Sequence, residues 1–200
     1  MRVLADVADQ VAPSLLARFR DVHPGVSLRV RESDLADPSA GLSADLGDVA
    51  LTRSPLDGAG IATLVLGAQP IGVVVRHDDP IAGAAAVLVS DLDGRGWLRL
   101  AQAAGPAWCS YWSGARSDQD RRGPEVRAIE ECLQGVLWGD LSPSHRRGSS
   151  CPQGWSLCPT TDREPNRVLL AWRTGRVSKA GPRVDHGCHR SRRPGGMLGL

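Results

Sequence analysis

Residues 13–32 read Pro-Ser-Leu-Leu-Ala-Arg-Phe-Arg-Asp-Val-His-Pro-Gly-Val-Ser-Leu-Arg-Val-Arg-Glu, a helix running straight into a strand. Leu15, Leu16, Phe19 and Val22 recur at helical spacing and form one apolar stripe. Pro13 suits a first helical turn, where its missing N–H costs nothing. Pro24 and Gly25 stop the helix. Val26, Leu28 and Val30 then alternate with Ser27, Arg29 and Arg31, the period of a half-buried strand.

Working outward, residues 3–5 predict a first strand, 8–22 the helix and 26–32 the second strand. Residues 35–46 predict another helix, with Leu35, Leu42 and Leu46 on one side. Short strands follow at 49–51, 61–66 and 70–76. This βαβα order points to a parallel sheet flanked by helices. A connection over 77–95, with a short helix entered at Ser90 and Asp91, leads to a strand at 97–100. A helix over 107–113, a strand at 125–127 and a helix at 129–137 complete a second, smaller α/β unit. A late strand at 168–172 returns to the first.

The chain has 200 residues, 42% of them apolar, enough to bury a core of Leu, Val and Ala. No apolar run is long enough to span a bilayer, and no basic-then-apolar leader opens the sequence. Five cysteines without a CxxC spacing argue against a disulfide framework. Lys179 is the only lysine and Asn166 the only asparagine, which indicates a GC-rich, bacterial genome. Charge is uneven. Residues 1–139 carry 13 basic and 18 acidic groups, and residues 140–200 carry 11 and 4.

The helix–strand unit resembles the opening of the effector-binding domain of LysR-type transcriptional regulators. Residues 44–53, Ala-Asp-Leu-Gly-Asp-Val-Ala-Leu-Thr-Arg, resemble that family's "aGeLDlAlvR" segment. Residues 70–75 with Asp79-Pro80-Ile81-Ala82-Gly83 resemble its crossover, and Val89-Ser90-Asp91-Leu92 its "v-l-dL". The series covers residues 1–138 and again 161–179. It implies a bilobal α/β fold of the type II periplasmic-binding-protein kind, two Rossmann-like subdomains with a ligand cleft between them. Residues 1–76 plus 165–180 form the expected first lobe and 77–164 the second. The implied function is sensing of a small-molecule effector, a polar metabolite, by a non-enzymatic, cytoplasmic, homo-oligomeric regulator with no cofactor. In the family a helix-turn-helix precedes this domain. Met1 falls where the first effector-domain strand begins, so the expectation is a chain that reaches DNA only through a missing helix-turn-helix.

Residues 139–160 break the pattern, with almost no apolar periodicity. Ser, Cys and Trp codons begin with U. Read one base earlier, that U moves to second position and specifies apolar residues, so residues 149–159 become an apolar strand resembling the family's. An out-of-frame stretch, aberrant or disordered, is the expectation here, and residues 181–200 are expected to form a disordered tail. The basic charge of the last third is then an accident of codons.

By the resemblance, four loops face the cleft. They supply Asp6 and Val7, Thr52 and Arg53, Ala101 and Gln102, and Ile129 and Glu130 as expected ligand-binding residues. Arg53 is the expected anion partner, since its fork matches a carboxylate; a solvated loop arginine or a lobe-to-lobe salt bridge is the plainer alternative. Asp6 disfavours a simple anion and suits a ligand with a donor group. A zinc site from Cys151, Cys158, His186, Cys188 and His189 has no common ligand spacing. Cys109 and Cys132 lack a companion His and Asp for nucleophilic catalysis, so neither a metal nor a catalytic site is expected. The competing readings are a transporter's solute-binding protein, which shares the fold, and a frameshifted non-functional fragment.

Overall fold

A computed structural model of the chain describes residues 1–4, 7, 12–113, 123–138, 142–146 and 154–175. Ten strands are described: β1 (Arg2–Leu4), β2 (Arg31–Ser33), β3 (Val49–Arg53), β4 (Ile61–Gln69), β5 (Ile71–Arg76), β6 (Arg99–Leu100), β7 (Glu125–Val126), β8 (Ser142–Arg146), β9 (Trp155–Pro159) and β10 (Asn166–Arg173). The α-helices are α1 (Ala12–Val22), α2 (Pro106–Ser113) and α3 (Ile129–Leu137). Short 3₁₀ turns cover Val89–Leu92 and Gln102–Ala104.

The first sheet has the order β2-β1-β3-β10-β4, with β1, β2 and β3 mutually parallel and β10 antiparallel to both β3 and β4. A second, antiparallel sheet has the order β8-β5-β9, and β6 and β7 form a separate parallel pair. The chain leaves the first sheet at Pro70 and re-enters it at Asn166. β5, which follows Pro70, therefore pairs within the second sheet. Thr160 ties the two crossovers together: its N–H and its hydroxyl both donate to the Ile71 carbonyl, each at 3.1 Å.

Three apolar clusters form the interior. The largest joins Leu4, Leu51 and Val168 of the first sheet to Val74 of β5, Leu98 and Leu100, Trp108 and Trp112 of α2, and Cys132 and Val136 of α3. A second lies on the other side of β5, where Val73 and Val75 meet Leu92, Trp97 and Cys158. The third packs Ala40 and Leu42 against Ala50 and Ala171. β3 is buried from Ala50 to Arg53, as a central strand covered on both faces should be.

Two local expectations are overturned. The second strand is confined to Arg31–Ser33, and Val26, Leu28 and Val30 are exposed. The β1–β2 register starts at the Arg2–Arg31 pair, and before it Met1 N–H donates to the Arg29 carbonyl at 2.8 Å. The helix expected over 35–46 is a series of turns. The Asp37 carboxylate accepts the N–H groups of Ser39 (2.9 Å) and Gly41 (2.6 Å) and the Ser39 hydroxyl (2.6 Å). Ala40 and Gly41 then take positive φ, 47° and 85°, which no helix tolerates. An aspartate that binds its own backbone competes with the helix and wins here.

Within the span 139–160, β8 and β9 lie one on each edge of β5. β5 is buried from Ile71 to Val75, so its N–H and C=O groups need partners on both sides whatever side chains the partners carry. Cys158 is fully buried and the Trp155 indole donates to the Leu133 carbonyl at 2.9 Å, which anchors β9 to α3. Residues 147–153 and the expected tail, 181–200, lie outside the described residues.

A Cβ on Gly72 would lie 2.5 Å from the Cys158 carbonyl oxygen, whereas one on Gly67 meets nothing within 4 Å. Gly72→Ala should cost about 1–3 kcal/mol through overpacking of the β5–β9 pair. Gly67→Ala, in the exposed part of β4, should change stability by less than about 0.5 kcal/mol. Urea denaturation of both variants checks this; equal effects would contradict the β5–β9 pairing.

Candidate functional site

A cavity of about 500 Å³ opens between the first sheet's loops and α2. Residues 37–39, Ser43 and 55–57 form one wall, and residues 103–108 form the other. The first wall is held rigid. The Asp37 carboxylate is occupied by the turn it organises, Ser39 Oγ accepts the Ser43 N–H at 3.1 Å, and the Thr52 hydroxyl donates to the Pro38 carbonyl at 2.6 Å. Pro38, Pro55 and Leu56 make much of this wall apolar.

The second wall is the start of α2. Gly105, before the helix, has no side chain to cap it, and Pro106 occupies the first turn. The next N–H groups, those of Ala107 and Trp108, belong to the orphan donors of a helix N-terminus. Cys109 N–H already donates to the Gly105 carbonyl at 3.0 Å. Trp108 is 3% exposed, and its indole N–H has no hydrogen-bond partner among the described residues. The indole nitrogen is itself buried, so the cavity combines partly apolar walls with the backbone N–H groups at the start of α2 and the exposed Asp57 carboxylate.

None of the seven described residues among the eight expected ligand-binding ones lines this cavity. Asp6 lies outside the described residues. Val7 is 1% exposed and packs in the largest cluster. Thr52 is fully buried with its hydroxyl committed to Pro38. Ala101 is buried and its carbonyl accepts the Cys109 thiol at 3.4 Å, while Gln102 is exposed beside the cavity-lining Ala103. Ile129 is half-buried and Glu130 exposed at the start of α3. There Glu131 accepts the N–H groups of Arg127 (2.6 Å) and Ala128 (3.2 Å), which holds its carboxyl below the usual range. The start of α3 already has its anion.

Arg53 departs furthest from expectation. It is 1% exposed, not presented to solvent. Its guanidinium donates to Asn166 Oδ1 at 3.2 Å and to Gln69 Oε1 at 2.9 Å. Neither amide stands out by sequence pattern. The one available signal was that Asn166 is the only asparagine in the chain.

Among the cysteines, Cys132 is buried on α3, and burial pushes its thiol up to about 12, far from a nucleophile's range. Cys158 donates its thiol to the Ile81 carbonyl at 2.9 Å. Cys151, His186, Cys188 and His189 lie outside the described residues. Among the described residues no three His, Cys, Asp or Glu side chains cluster to hold a metal.

The family model of the LysR substrate binding domain matches residues 2–142. The match stops where the sequence loses its apolar pattern. No curated protein sequence matches the chain. Solved structures share its fold. The effector-binding domain of QuiR in complex with shikimate is 16% identical with a TM-score of 0.69, over 88% of this chain and 86% of that one. The reduced form of the OxyR regulatory domain from Pseudomonas aeruginosa is 17% identical with a TM-score of 0.61, over 88% of each chain. HinK, a LysR family transcriptional regulator from the same organism, is 20% identical with a TM-score of 0.63, over 89% of this chain and 65% of that one.

Cys132 and the half-buried Cys109 should differ in reactivity. Alkylation with iodoacetamide at pH 8, followed by mass spectrometry, should modify Cys109 and leave Cys132 untouched until the protein unfolds. Equal labelling of both in the native protein would contradict the burial of α3.

Proposed function

The chain belongs to the LysR substrate-binding domain family, the effector-sensing domains of transcription regulators, and from that premise we propose that its cavity holds a small polar metabolite. The observation that carries this reading is the cavity itself, walled on one side by residues 37–39 and 55–57 and on the other by the start of α2. Sites for small ligands span about 300–1,000 Å³ and are mostly apolar with a few placed polar groups. A molecule of the size of the shikimate bound by QuiR fits that volume. The walls belong to two lobes, residues 1–69 with 166–175 and residues 71–159, joined by the crossovers at Pro70 and at 160–165.

The backbone N–H groups of Ala107 and Trp108 at the start of α2 suit the acceptor end of such a molecule. Asp57 suits a hydroxyl or amine at the other end. Of the expected residues, Ala101 and Gln102 extend the α2 wall. Thr52 supports the opposite wall through its hydrogen bond to Pro38.

Domains of this family are generally non-enzymatic, and no covalent step is assigned to this chain. Occupancy would favour one lobe arrangement over another, and it can shift the balance only by its difference in affinity for the two. The regulator would reach DNA through a helix-turn-helix and act in the cytoplasm. Among the described residues no helix is long and apolar enough to cross a membrane. The transporter reading is not favoured, because the family match is to a regulator's domain.

The regulator is read as a homo-oligomer, and the exposed Val22, Val26, Leu28 and Val30 supply a face for a second copy. Val22 ends the apolar stripe of α1 and the other three follow the alternation of a half-buried strand, yet all four are exposed.

A thermal-shift screen of small hydroxylated and amino carboxylates tests the cavity. A binder at one hundred times its Kd should stabilise the protein by about 2.7 kcal/mol. Ala103→Trp, which fills the cavity from an exposed position, should abolish that shift and leave the ligand-free melt unchanged. A shift that survives Ala103→Trp would place the ligand elsewhere. Light scattering tests the second face: Leu28→Asp should lower the molar mass from that of an oligomer to that of one chain, and an unchanged oligomer would remove this face from the account.

A further inference from the structure

The interior polar network around Arg53 lies where the chain passes between its two lobes. Gln69 is the last residue of β4, and the next two, Pro70 and Ile71, carry the chain into the second sheet. Asn166 is the first residue of β10, on the return path. Arg53, at the end of β3, donates to both side chains, at 2.9 Å and 3.2 Å. Asn166 in turn donates through Nδ2 to the Ser54 carbonyl at 2.6 Å and to Ser54 Oγ at 3.2 Å. The backbone closes the same junction: Ser54 N–H donates to the Arg167 carbonyl at 3.0 Å, and Arg167 N–H donates to Ser54 Oγ at 3.1 Å. Both crossovers are therefore fastened to one strand end by one buried guanidinium.

We propose that Arg53 is a positioning residue that sets the angle between the lobes and links it to occupancy of the cavity. Its neighbours carry the link. Thr52, one residue before, donates to the carbonyl of the cavity-lining Pro38. Ser54, one residue after, precedes the cavity-lining Pro55. A ligand that displaces either part of the wall acts within one residue of the guanidinium. A planar fork can reach two acceptors on different strands at once, whereas a lysine ammonium is a single point. The proposal rests on the two-lobe reading above.

Hydrogen exchange read by mass spectrometry on the whole chain tests it. Gln69→Leu removes one acceptor and leaves Arg53 in place. It should raise exchange about tenfold or more at residues 69–72 and also at 160–165, which lie outside the β4–β10 pairing of Gln69 with Asn166, since a hydrogen bond to a charged group contributes about 1.5–3 kcal/mol. Amides of β8 and β9 should stay unchanged. Arg53→Met should do the same more strongly, and Arg53→Lys should fail to restore protection. Should Arg53→Met not fold, the Gln69→Leu result decides alone. Faster exchange confined to residues beside position 69, or full protection in Arg53→Lys, would overturn the role of Arg53 while leaving the lobes intact. Exchange of both sheets as one cooperative unit in the wild type would instead overturn the two-lobe reading, and this proposal with it.

Discussion

A positive charge in the interior has to be met by acceptors placed around it, because leaving it unmet in a low-dielectric region is prohibitive. Arg53 imposes that constraint here. Its position at the end of β3 requires an acceptor at the end of β4 and another at the start of β10, and Gln69 and Asn166 supply them. These are the two points where the chain leaves and rejoins the first sheet. The sheet order β2-β1-β3-β10-β4 follows in part from this: β10 lies between β3 and β4, so that both acceptors fall beside the same guanidinium.

From that junction the remaining architecture is apolar. The largest cluster runs from Leu51 and Val168 through Val74 into α2 and α3. The lobes therefore touch through side chains as well as through the crossovers, and the Leu35 N–H donates to the Arg127 carbonyl across the seam at 2.8 Å. The cavity remains where three prolines and a run of alanines leave the two walls short of contact. Its polar groups sort by availability. Asp37 and Thr52 are committed to holding the wall, while the α2 donors and Asp57 face no partner in the wall itself.

Much of this was legible from residue patterns. The stripe of Leu15, Leu16, Phe19 and Val22 marked α1, and helix 129–137 and the late strand matched α3 and β10 closely. Legibility failed where one group answers to something other than periodicity. The leucines at 35, 42 and 46 have a helix's spacing, but the Asp37 carboxylate and the positive φ of Ala40 turn the segment into a knot of turns. The alternation of Val26, Leu28 and Val30 is a strand's, but the strand pairing with β1 begins only at Arg31. The surroundings of Arg53 were not legible, because no local pattern announces that its acceptors lie 16 and 113 residues away. Residues 142–146 and 155–159 were the opposite case. Their side chains carry no strand signal, yet the backbone of the buried β5 recruits them on both edges. Hydrogen-bond demand from a neighbour is invisible in the segment that meets it.

The central claim is that Arg53 and the crossover amides act as one unit, and a double-mutant cycle on Arg53→Met and Gln69→Leu, followed by urea denaturation, tests it most directly. The account predicts a coupling of about 1–3 kcal/mol, as expected for residues sharing one buried network. Effects that add to within about 0.5 kcal/mol would show two independent side chains and contradict it.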